Sequence, residues 1–149
     1  MKALFFVLAT FAFSIATAQE ASIMEKRARE FHRVINSSDK QEWIKFIKEN
    51  YTQALIDKQQ NMKVQSNENG NVTSTQEEMK EADKLEAKSK MFARLHQDFG
   101  GSKLISMKTK DNNLEMILNN GDGLIGTFKF KFEKTTPYLI DGLSIEAGN

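Results

Sequence analysis

The spacing of apolar residues changes three times along this chain. Residues 3–18, ALFFVLATFAFSIATA, carry no charge and follow Lys2 directly. From Glu20 to Ile56 the apolar positions recur every three or four residues, with Met24, Ala28, Phe31 and Ile35 on one stripe and Glu25, Lys26, Arg29 and Glu30 facing away. That period is the mark of an amphipathic helix, predicted over Glu20–Ile35. Asn36-Ser37-Ser38-Asp39 ends it and supplies a cap for a second helix from about Lys40, where Trp43, Ile44, Phe46 and Ile47 demand a widely buried face. A short continuation is expected over Tyr51–Ile56. Residues 57–74 are almost wholly polar and read as a long mobile loop.

A third helix follows. Ser74-x-x-Glu77 and Thr75-x-x-Glu78 both fit a capping box, Leu85, Phe92 and Phe99 recur along it, and Gly100-Gly101 ends it. Beyond Gly101 the period falls to two, as a strand requires. Strands are expected over Lys103–Thr109, around Leu114, Met116 and Leu118, and around Phe128, Phe130 and Phe132. Asn120-Gly121-Asp122-Gly123 marks a hairpin, Pro137 opens a last strand, and Asp141-Gly142 is the place for a bulge. All eight glycines lie at residue 70 or later, which separates a helical first part from a punctuated second part. The class is α+β: N-terminal helices packed on a curved, four-stranded antiparallel meander, cone-like in shape.

Composition changes the picture at the N-terminus. A basic residue, a short apolar core and the small-residue pattern Ala16-Thr17-Ala18 describe a secretory signal peptide over residues 1–18, cut after Ala18 or Gln19. The uncharged run is shorter than the ~20 residues a spanning helix needs. The mature part, residues 19–149, is then one domain, secreted or periplasmic, and its lack of cysteine excludes disulfides, thiol chemistry and a lipid-anchored cysteine. Lys+Arg 21 against Asp+Glu 20 leaves no basic excess, and losing Lys2 makes the signs equal. Nucleic acid and anionic membrane are therefore not expected partners.

Reactive constellations are scarce. The two histidines, His32 and His96, have no ligand-type spacing, so no metal is expected, and no cofactor either. No serine sits in a G-x-S-x-G elbow. Gly121-x-Gly123-x-x-Gly126 mimics a dinucleotide fingerprint but falls inside a hairpin, where no helix follows to hold a phosphate. The remaining option is a pocket between helices and sheet, for which Phe31, Trp43, Phe46, Tyr51, Phe92, His96, Phe128 and Phe130 are the candidate walls. The same residues would equally serve as a filled core. His96, then His32, would be the polar group able to exchange a proton near neutral pH.

Three stretches carry a family resemblance: Phe31-His32-Arg33-Val34-Ile35-Asn36-Ser37-Ser38-Asp39 with Trp43 to Tyr51 after it, Phe92 to Gly101, and Pro137 to Glu146 (PYLIDGLSIE). With the order of helices before a curved meander, they resemble the nuclear transport factor 2-like (SnoaL-like, cystatin-like) superfamily. The closer likeness is to an exported accessory module found N-terminal to bacterial β-lactamase-like serine hydrolases and peptidases. Ser38 stands where that module usually has glycine, and no hydrolase domain follows Asn149 in this sequence. The resemblance implies a non-catalytic module that meets another exported, hydrolase-like protein. Its alternatives are a small apolar ligand held in the cone, or acid–base chemistry of the isomerase or cyclase type. Folds of this type often pair through the outer sheet face, so it also allows a homodimer.

Overall fold

The computed structural model describes residues 4–58 and 80–148, with residues 4–18 described by their backbone alone. Four helices precede four strands: α1 (Leu4–Asn36), α2 (Lys40–Asn50), α3 (Gln53–Asp57), α4 (Glu81–Phe99), β1 (Lys103–Lys110), β2 (Asn113–Asn119), β3 (Ile125–Phe132) and β4 (Ile140–Gly148). The strands form one curved antiparallel sheet in the order β1-β2-β3-β4. The α+β class expected from the pattern is the class observed.

Several boundaries differ from the expectation. α1 begins at Leu4 rather than near Glu20, because no glycine, proline or capping residue interrupts Ala-, Leu- and Phe-rich sequence at the junction. Among the described residues, no helix is long and apolar enough to cross a membrane. α4 begins at Glu81; Lys80 precedes it without a side-chain cap, and Glu81 and Asp83 place negative charge on its first turn. The capping boxes at Ser74 and Thr75 and most of the expected 57–74 loop lie outside the described residues, while Asp57 belongs to α3. Pro137 stands before the last strand, not at its start. It follows a cis peptide bond in a turn, Tyr138 has φ +54°, and pairing begins at Ile140.

Local chemistry explains the remaining ends. Asp39 accepts from the Gln41 N–H at 2.8 Å and Thr52 Oγ1 from the Leu55 N–H at 3.1 Å, capping α2 and α3. Gly101, at φ +77°, turns the chain from α4 into β1. The bulge in β4 falls at Asp141: Lys131 pairs with Gly142 and Phe132 with Ile140, so Asp141 has no partner on β3. A second irregularity, at Ile105, breaks the pairing of β1 with β2.

The core sits between helices and sheet. Met24, Ala28, Phe31 and Ile35 are all at most 2% exposed, so the stripe read from the sequence is the buried face of α1. Phe31 is its centre. Its ring meets Phe46, Phe92, Phe128 and Phe130 edge-on, at centroid distances of 5.9, 5.5, 5.7 and 5.1 Å. One side chain thus joins α1, α2, α4 and β3. Each edge-to-face pair adds about 0.5–1.5 kcal/mol beyond area burial.

Phe31→Ala is expected to destabilise the protein by about 3–5 kcal/mol in chemical denaturation, since four rings lose a common neighbour. Gly126→Ala is expected to cost about 1–3 kcal/mol. A Cβ at Gly126 would stand 2.5 Å from the Phe99 ring, which itself packs on Phe128.

Candidate functional site

The eight candidate wall residues come together, but as packing. Phe31, Phe92 and Phe128 are fully buried, and Phe46, Tyr51 and Phe130 nearly so. Phe46 stands 5.8 Å from Phe92, and Tyr51 stands 5.9 Å from Phe46 and 6.4 Å from Phe92. The space a cone-type cavity would occupy is filled by these rings. Trp43 closes one end, its Nε1–H donating to the carbonyls of Val34 and Ser37 at 3.1 and 2.9 Å. Tyr51 is the exception in polarity. Its hydroxyl is buried without a hydrogen-bond partner among the described residues, and burial pushes its pKa well above the ordinary tyrosine value.

The two imidazoles hold the corner where α1 and α4 meet β1. His96 Nδ1 donates to the Ile35 carbonyl at 2.9 Å, and His32 Nε2 lies 2.9 Å from the Ser102 carbonyl. A carbonyl only accepts, so each of these nitrogens carries its proton. Asn36 strengthens the same corner by accepting from the Gly101 N–H at 2.6 Å. Among the described residues neither imidazole pairs with a carboxylate, and no group of three His, Asp or Glu is placed to hold a metal ion. The histidines fasten backbone.

Arg27 fastens another corner. Its guanidinium donates to the Asn50 side chain and to the carbonyls of Glu49 and Pro137, tying α1 to the end of α2 and to the turn before β4. Desolvation lowers its pKa, and the charge of Glu133 works against that.

The open site lies elsewhere, across outward residues of the sheet and on to α3 and α4. Antiparallel pairing sets residues side by side across the strands, two rows deep: Lys108, Glu115, Lys129 and Ser144, then Lys110, Asn113, Lys131 and Gly142. These rows line a groove of about 870 Å³, which Leu55 of α3, Lys58 just after it and Lys88 of α4 also border. Six lysines and one glutamate line it. Lys129 is paired with Glu146 at 2.7 Å and Lys131 with Asp141 at 3.4 Å, whereas Lys58, Lys88, Lys108 and Lys110 have no ion pair among the described residues. Of the candidate walls only Phe130 borders this groove. Nearer the other end of the face stand half-buried Ile117 and exposed Ile125, with exposed Ile105 at the β1 irregularity. The face is therefore basic at one end and apolar at the other.

No family model matches the chain, and no curated protein or solved structure matches it either.

Burial of Tyr51 gives a pH signature. Above about pH 10 the unfolded tyrosine ionises while the folded one keeps its proton, so the unfolded state gains and stability falls as pH rises further. Tyr138, which donates to Glu20 at 2.8 Å, is raised by that bond and by desolvation, and adds to the same window. Tyr51→Phe is expected to flatten the loss seen in Tm above pH 10. Below pH 10 it should leave stability unchanged or up to about 1 kcal/mol higher, because it removes an unpartnered buried hydroxyl.

Proposed function

We propose that this chain is an exported, non-catalytic interaction module of the nuclear transport factor 2-like type, which docks on an acidic surface of another exported protein through the outer face of its sheet. The observation that carries the reading is the gathering of lysines in the groove that this face shares with α3 and α4. A chain with Lys+Arg 21 and Asp+Glu 20 nonetheless lines one open groove with six lysines and a single acid. Charge complementarity of this sort steers association and selects a partner of opposite sign. Ile117, Ile125 and Ile105 beside the lysines supply the apolar area that a protein partner buries and a simple counter-ion does not use. A filled aromatic interior and histidines committed to backbone carbonyls support a surface role over an internal one. Export rests on the sequence of residues 1–18.

Two measurements test the proposal. Mass spectrometry of the chain recovered from the exported fraction of a bacterial host is expected to give an N-terminus at Gln19 or Glu20; an intact chain retained in the cytoplasm would contradict export. Immobilised protein is expected to retain one acidic partner from the exported fraction, released by raised salt. The double variant Lys108→Gln with Lys129→Gln should weaken that capture while the protein stays folded, with Tm lowered only slightly by loss of the Lys129–Glu146 pair. Undiminished capture by the variant, or a sheet-to-sheet homodimer in light scattering that occupies the face, would refute the docking.

A further inference from the structure

One lysine of the groove stands apart from the rest. Lys88 lies on the buried stripe of α4, between Leu85 and Phe92, at a position where helical spacing calls for an apolar residue. It is 3% exposed, yet it borders the groove. The side chain is thus packed away almost entirely, and what it leaves open lies on the groove. Desolvation lowers its pKa, the positive charge of nearby Lys58 lowers it further, and Asp57 only partly opposes them. Asp57 is itself engaged by Lys84 at 2.7 Å, and no carboxylate among the described residues forms an ion pair with Lys88.

A buried ammonium with a like charge beside it is costly unless an anion completes it. Nothing flat can do so. A docked protein surface reaches the rim lysines of the sheet, whereas a residue with 3% of its surface open is reached only by a group that enters the groove. The volume of about 870 Å³ suits a small organic or inorganic ligand rather than a lone ion. Lysines 129 and 131, and likewise 108 and 110, stand two residues apart along a strand, about 6.6 Å, so several charges on one ligand meet separate ammonium groups. Lysine ammonium is a point charge that donates to phosphate or carboxylate oxygen alike.

We propose that the groove is a binding site for a small multivalent oxyanion, an oligophosphate or a polycarboxylate, with Lys88 and Lys58 holding its innermost charged group and the sheet lysines its outer ones. The site shares the sheet face assigned above to a protein partner but does not depend on that assignment.

The test is calorimetric titration of the full chain, at low salt and pH 7, with tripolyphosphate and separately with citrate. Binding of either supports the site, and the tighter of the two identifies the source of the oxyanion. Lys88→Met should weaken binding by at least about tenfold. The same variant should keep or raise Tm, because it replaces a buried charge with an apolar chain of similar length. Lys58→Met, at a position fully outside the core, should weaken binding in the same direction, and Lys103→Met on β1, outside the groove, should leave it unchanged. No heat with either anion overturns the proposal, and so does equal weakening by Lys88→Met and Lys103→Met, the mark of general surface attraction. Lys88→Met leaves the rim untouched, so it should still capture the protein partner. Loss of anion binding with capture retained therefore concerns this site alone, and the reverse result concerns only the docking reading.

Discussion

The ring of Phe31 is the point on which the architecture turns. A helix can bury an apolar stripe against many surfaces, and a sheet face can be covered in many ways. Four edge-to-face contacts to rings from α2, α4 and β3 remove that freedom, because each fixes both a distance and an angle. Once α1 is seated there, His32, His96 and Arg27 fall on carbonyls at its flanks and tie down the corners. Polar groups that could have served chemistry are thus spent on holding backbone. Among the described residues, aromatic rings fill the space between α1, α2, α4 and β3.

Much of this was legible in the spacing of residues. The stripe of α1, the Asp39 cap, the Asn-Gly-Asp-Gly hairpin and the Asp141 bulge follow from side-chain period and turn chemistry, which act locally. The boundaries that differ are those decided at longer range. Nothing between residues 4 and 36 breaks a helix, so local rules offer no stop near Glu20. Tyr138 reaches back to Glu20, a partner no local reading could supply.

The groove was hidden for a different reason. Alternation shows that Lys108, Lys110, Lys129 and Lys131 face outward, as charged strand residues usually do. Only the register, with Lys108 and Lys129 flanking Glu115, and Lys110 and Lys131 flanking Asn113, shows that they converge on one surface. Equal totals of acid and base concealed the segregation. Lys88 did carry a signal: an ionisable side chain three residues after Leu85 and four before Phe92 interrupts an otherwise apolar stripe. A charge placed among core positions asks for an explanation that a charge on the polar face does not.

The unpaired residue at Asp141 settles the parity of the chain's last segment. Ile140 and Leu143 share the inner side although they are three apart, an odd spacing that a regular strand forbids. Were Asp141 paired in regular register instead of bulged out, every side chain after it would change sides: Leu143 and Ile145 would turn to water, while Ser144 and Glu146 would be driven against the phenylalanines. The division of the C-terminal segment between oily and wet surfaces is set by one inserted backbone unit, as a reading frame is set by one nucleotide.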